Sequence, residues 1–272
     1  MLYLSDLLPN EYPRTSGYLH RALTQNRVDH RLLPDTADVW LRDFMPVRWA
    51  DGDGWVQYDY HPSYLKGYES LRTDTEPIIR RLGLRQVSRS DLKLDGGNVI
   101  GHGDLAIVTE RVYRENRGMS PAAIRHELKT SLGVRRLVMI PAADPEEDMT
   151  GHVDGMCRLI DDRTVLLNDF SPDRSLGGQV FLRLRRAGLR VIHLRVPPAL
   201  YRLGHEWAPY INYLETPTAL FVPMLGIPDE YRVVTQLRHI FHRKKIVPVR
   251  ADELVEKGGG ALNCASWEDV KV

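Results

Sequence analysis

Two cysteines in 272 residues, Cys157 and Cys264, are too few for a disulfide framework, and such sparing use belongs to a reducing compartment. An excess of charge of either sign is missing too. The 37 Lys and Arg stand against 36 Asp and Glu, a net charge of +1, without the basic surplus that nucleic acid or an acidic membrane draws. The ten histidines are scattered with no Cys/His cluster, which argues against structural zinc. No apolar run reaches the roughly 18 uncharged residues of a membrane span. At the N-terminus, Asp6 interrupts the segment before an apolar region forms, so it does not read as a secretory leader. No stretch rich in Pro, Gly or Ser divides the chain, so residues 1–272 read as a single domain of a cytoplasmic protein.

What is present is ordinary globular composition, 43% hydrophobic and 27% charged. Short apolar runs bounded by Gly, Pro or Asp read as strands at 99–100, 105–109, 136–140, 164–168, 191–194, 219–222 and 246–249. Helical patterns lie between them. Ser120 as N-cap, Pro121 at the first helical position, Ile124, Leu128 and Leu132 on one face and Gly133 as the stop predict a helix. Helical spacing also marks about 176–187 and about 229–242. The alternation predicts an α/β fold.

A weaker regularity carries more. Polar segments that resemble strand-to-loop junctions recur at Trp40-Leu-Arg-Asp43, Asp95-Gly-Gly-Asn98, Gly151-His-Val-Asp-Gly155, Tyr210-Ile-Asn212 and Gly258-Gly-Gly-Ala-Leu-Asn-Cys264. The steps from Asp43 to Asp95, Asp154, Asn212 and Cys264 are 52, 59, 58 and 52 residues. Five near-equal units, each with polar groups at one place, suggest a cyclic repeat whose loops converge on a central site.

The residue types at those places suggest a chemistry. Cys264 follows three glycines that permit tight turns and close approach of a substrate, although a lone cysteine is commonly a small buried hydrophobe. Cys157 sits in an apolar strand pattern and reads as structural. In an extended segment, His152 and Asp154 would project from the same face into one pocket, or else stabilise a turn. Asp43 and Asp95 sit in loops, where Asp is usually a turn former. Together these groups fit a planar cation: carboxylates accept its forked N–H groups, an indole face packs beside it, a thiolate attacks its central carbon and a histidine protonates the departing nitrogen. The set suits guanidinium hydrolysis better than proteolysis or esterolysis.

From about Pro34 to Trp267, the five motifs in their order resemble the agmatine deiminase and bacterial peptidyl-arginine deiminase family, together with Tyr213 and the Leu-Phe-Val-Pro run ending at Pro223. The resemblance implies the fold of the guanidine-modifying enzymes, a five-bladed α/β-propeller (the pentein fold) of ββαβ-type repeats around a central site. Position by position it implies Cys264 as nucleophile, His152 as the acid that later activates water, and Asp43 and Asp154 as the clasp on the guanidinium. It further implies Trp40, Asp95, Asn98, Asn212 and Gly260 as the substrate-binding positions. Two departures stand out: Asp95 occupies a position where agmatine deiminases carry Glu, and Asn263 one where they carry His.

The activity implied is a deiminase releasing ammonia and a ureido product from agmatine, arginine, peptidyl-arginine or another guanidine through a covalent thiouronium. Alternatives are amidinotransfer from the same intermediate, a non-catalytic binding protein on the same fold, and a metal site at the His-Asp pair; no metal and no cofactor is expected. Arg42, Arg114, Arg117, Arg158, Arg202 and His205 are candidates to meet a substrate carboxylate, or else solvated charges. The expected partners are a small-molecule guanidine and, as the commonest default, a second copy of the chain. Neither nucleic acid nor a membrane is expected.

Overall fold

A computed structural model describes residues 1–50, 52, 54–144 and 148–269. The chain opens with β1 (Leu2–Ser5), α1 (Pro13–Gln25) and β2 (His30–Leu33). The pattern then recurs as β3 (Val47–Arg48), β4 (Trp55–Asp59), α2 (Thr75–Leu82) and β5 (Val87–Lys93). Next come β6 (Val99–His102), β7 (Leu105–Thr109), α3 (Pro121–Leu132) and β8 (Arg136–Ile140). A further round is β9 (Cys157–Leu159), β10 (Thr164–Leu167), α4 (Arg174–Arg186) and β11 (Arg190–His193). The last is β12 (Leu214–Glu215), β13 (Ala219–Met224), α5 (Tyr231–Ile240) and β14 (Lys245–Arg250), after which β15 (Ser266–Glu268) ends the series.

These strands form five three-stranded sheets among the described residues. In four of them an antiparallel hairpin is followed, after a helix, by a strand parallel to the middle one: β3-β4-β5, β6-β7-β8, β12-β13-β14 and β15-β1-β2. The fifth has the order β11-β10-β9, with β9 and β10 antiparallel. The ββαβ repeat is therefore real, and one copy is assembled from both chain ends. Leu2 faces Glu268 and Leu4 faces Ser266, while the Met1 ammonium meets Asp269 at 2.5 Å. Middle strands are the apolar ones, as burial on both faces requires: β1, β7 and β13 are buried along their whole length.

Helix ends follow local chemistry. On α3, Ser120 accepts the Ala123 N–H at 3.2 Å, Ile124, Leu128 and Leu132 are buried, and Gly133 takes the left-handed φ of 67° that stops the helix. On α4, Asp173 accepts the Leu176 N–H, which moves the start ahead of the expected Leu176. The expected 229–242 helix is trimmed to α5, because Asp229 is itself left-handed at φ 65°.

The chain divides into two compact units, Met1–Arg42 with His193–Val272, and Asp43–Ile192. The first holds the sheets β15-β1-β2 and β12-β13-β14 around a core including Leu4, Leu19, Leu23, Phe221, Leu254 and Leu262. The second holds two apolar clusters, one around Ile107, Val165 and Val180 and the other around Val56, Val108 and Leu128. Among the described residues no helix is long and apolar enough to cross a membrane.

Candidate active site

Every motif singled out in the sequence ends a few residues before the first strand of a repeat. Trp40–Asp43 precedes β3, Asp95–Asn98 precedes β6, His152–Gly155 precedes β9, Tyr210–Asn212 precedes β12, and the glycine run with Cys264 precedes β15. Three of these junctions are single 3-10 turns: Gly96–Asn98, Val153–Gly155 and Pro209–Ile211.

That local form corrects the expected geometry of His152 and Asp154. His152 is extended (φ −77°, ψ 143°), but Asp154 lies inside the turn, so the two do not alternate along one strand face. The firm partners of the imidazole come from elsewhere in the second unit. His152 Nε2 lies 2.7 Å from Asp95 Oδ2, and Nδ1 lies 3.4 Å from Asp43 Oδ1. All four side chains are buried, with His152 5% and Asp154 2% exposed. Burial alone would drive the proton off His152; the charge of Asp43, the hydrogen bond and charge of Asp95, and the charge of Asp154 outweigh it and raise its pKa to about 9. The ring thus has a carboxylate at each nitrogen, an arrangement that favours the imidazolium at neutral pH.

Glycine makes this approach possible. The Gly97 N–H donates to Asp43 Oδ1 at 3.2 Å, and a methyl group on Gly97 would sit 2.8 Å from His152 Nδ1 and closer still to Asp43 Oδ1. Asn98, 1% exposed, accepts the Thr109 N–H at 3.1 Å through Oδ1, and Thr109 Oγ1 donates to the Gly151 carbonyl at 2.9 Å. Asn98 thereby ties the Asp95 turn, through β7, to the start of the His152 turn.

Tyr64 is the residue that sequence reasoning missed. Its hydroxyl donates to Asp95 Oδ2 at 3.2 Å, and its ring stands edge-on to His152 with centroids 6.4 Å apart. Burial first, then the charges of Asp95 and Asp43, hold its pKa well above the ordinary phenol value, so it stays a neutral donor. It sits in a single 3-10 turn, Ser63–Leu65, too short to carry a periodicity that would announce it.

The first unit holds the remaining candidates. Cys264 is partly exposed, and one carboxamide grips it at two points: its N–H donates to Asn212 Oδ1 at 3.2 Å, and Asn212 Nδ2 donates to its sulfur at 3.1 Å. The backbone N–H fixes which end of the amide is oxygen, so the NH2 must face the sulfur. The Asn263 N–H donates to the Asn212 carbonyl at 3.1 Å, and the Arg42 N–H to the Cys264 carbonyl at 3.0 Å. Trp40 packs flat on the glycine run: a methyl on Gly258 or Gly260 would come within 2.7 Å of its ring. Cys157, in contrast, is fully buried in β9 with its thiol pushed up to about 12 by burial, as befits a structural residue.

Residues 19–269 match the family model of Porphyromonas-type peptidyl-arginine deiminase. The chain belongs to that family. An agmatine deiminase of Medicago truncatula is 27% identical over 210 residues, 64% of this chain and 56% of that protein. The C. jejuni agmatine deiminase superposes with a TM-score of 0.78 at 18% identity, covering 99% of this chain and 93% of that one. DDAH from Pseudomonas aeruginosa shares the fold at a TM-score of 0.59 and 13% identity, covering 94% and 87%. The expected family, the pentein fold and the class of hydrolases acting on amidine C–N bonds are thus borne out. Of the arginines expected to meet a carboxylate, Arg42 is spent on Glu268 at 2.6 Å, whereas Arg114 and Arg117 line an open cavity in the second unit of this deiminase-family chain.

Proposed function

We propose that the protein is a cysteine-dependent deiminase of a small guanidine, folded as a single domain over residues 1–272. The observation that carries the reading is the buried His152 imidazolium between Asp43 and Asp95. Three carboxylates with one imidazolium leave surplus negative charge in a dry place, which suits a guanidinium and little else.

In this mechanism, Cys264 as thiolate attacks the guanidinium carbon, favoured by the Asn212 N–H aimed at its sulfur. Asp43 and Asp154 take the forked N–H groups, and Trp40 supplies an aromatic wall. His152 passes its proton to a nitrogen of the tetrahedral adduct, the C–N bond breaks and ammonia leaves, and an S-alkylthiouronium remains. The histidine, now neutral, takes a proton from water as the water oxygen bonds to the same carbon. The C–S bond then breaks as the hydroxyl of that adduct loses its proton to water, releasing the ureido product and the thiolate. Asp95 holds the ring through both halves by its 2.7 Å contact. Its side chain is one methylene shorter than Glu, and here it reaches Nε2 directly.

The test is ammonia release and ureido-product mass on agmatine, arginine, a blocked arginine peptide and methylated guanidines, with Cys264→Ala beside the wild type. Turnover that vanishes in the variant is expected. Turnover that survives it, or a strict demand for an amine acceptor, overturns the reading.

A further inference from the structure

The second unit contains an open cavity of about 750 Å³, well inside the size range of small-molecule sites. Tyr64 forms part of its lining. Tyr64 serves the carboxylate site through the bond of its hydroxyl to Asp95 and its edge contact with His152. Its ring also carries Arg111, whose guanidinium carbon lies 5.1 Å from the ring centroid. The cavity and the guanidinium site therefore share one tyrosine as a wall.

The charge of this cavity is lopsided. Among the described residues that line it, Lys66, Arg72, Lys93, Arg111, Arg114 and Arg117 stand against two carboxylates, Glu69 and Glu115, a surplus of four positive charges in a chain whose net charge is +1. Both carboxylates are engaged locally: Glu69 accepts the Gly67 N–H, and Glu115 accepts from Ser63 and from Arg111 at 2.8 Å. Arg72 is bonded to His61, and Arg114 donates to the Ala143 carbonyl. Among the described residues, the side chains of Lys66, Lys93 and Arg117 have no ion pair or hydrogen bond. Holding uncompensated cations together costs electrostatic energy that an anionic ligand would relieve.

We propose that this cavity receives the tail of the substrate, and that the tail carries two negative charges. The proposal rests on the deiminase reading and narrows it: the substrate is a guanidine with a dianionic far end, such as an arginine derivative with two carboxylates, and not the cationic tail of agmatine. The guanidinium goes to the three aspartates, one of which Tyr64 bonds, and the anions go to Lys66, Lys93 and Arg117 in the cavity that Tyr64 also lines. An ammonium tail placed here would meet the surplus of like charge. A single carboxylate would leave part of the surplus unanswered.

The experiment compares kcat/KM for agmatine, 4-guanidinobutyrate and N-acetylaspartylarginine, at low and high salt, in the wild type and in a Lys66→Ser, Lys93→Ser double variant. The expected order rises from none to one to two carboxylates. The advantage of the dicarboxylate shrinks with salt and falls about tenfold in the double variant, two partly exposed ion pairs being removed. Agmatine as the best substrate, or equal values for one and two carboxylates, overturns the proposal. Calorimetry with N-acetylaspartylcitrulline on Cys264→Ala keeps this separate from the chemistry. If no guanidine turns over, the deiminase reading fails, while binding that weakens about tenfold in the lysine variant still supports the cavity assignment and unaltered binding refutes it.

Discussion

Replacing Asp95 with Asn tests the electrostatics on which the site depends. His152 keeps its proton to about 9 where a free imidazole loses it near 6.5, a difference worth roughly 3 kcal/mol. Burial opposes that charge, so the whole excess comes from carboxylates, and the one at 2.7 Å both bonds to the ring and carries charge. Asn keeps the shape and an acceptor oxygen but removes the charge. With Asp43 at 3.4 Å and Asp154 left to work against undiminished burial, the His152 pKa should fall below its wild-type value of about 9.

Two readouts follow with opposite pH behaviour. A raised histidine pKa stabilises the fold fully below 6.5 and loses that stabilisation as pH climbs through the folded value. Wild type should therefore shed about 3 kcal/mol between pH 6.5 and 9, whereas Asp95→Asn should shed less. In urea titrations the stability that wild type loses on going from pH 6 to pH 10 should be the larger of the two. The alkaline limb of kcat/KM should move down from near 9, because the acid that protonates the leaving nitrogen is exhausted earlier. A His152 resonance in Asp95→Asn that still titrates near 9 would show that the geometry is right and the assigned cause is wrong.

Gly97→Ala should destabilise by about 1–3 kcal/mol in urea titration and cut turnover, because its methyl displaces both Asp43 and the imidazole; wild-type stability would mean the two side chains can retreat. Iodoacetamide at pH 8 should modify Cys264 and spare Cys157, whose thiol is buried and pushed up to about 12, as read by peptide mass; equal labelling would contradict the burial. Asn212→Ala, which removes the N–H aimed at sulfur, should slow the Cys264 alkylation several-fold at fixed pH.

Sequence alone showed the parts of the fold that advertise themselves locally. The cap, proline and stop glycine of α3 and the buried runs of β7 and β13 need no distant partner to be recognised. The spacing of 52 to 59 residues was legible because every junction motif occupies the same station in its repeat. Strands β3 and β12, two residues each, are too short for a pattern, and β1 gains its meaning only from β15 at the far end of the chain.

Within the site, residue types were legible but pairings were not. His152 takes its bonded carboxylate from 57 residues upstream instead of two residues downstream, because a 3-10 turn replaced the expected extended backbone. Tyr64, Lys66 and Lys93 escaped for a different reason, and Arg114 and Arg117 were legible only as candidates. A net charge of +1 properly argues against large polyanionic partners, which sample the whole surface. It says nothing about a small ligand, which samples one cavity. Basic and acidic side chains nearly cancel over the whole chain, and only folding gathers three aspartates around His152 and six basic side chains around the cavity that Tyr64 also lines.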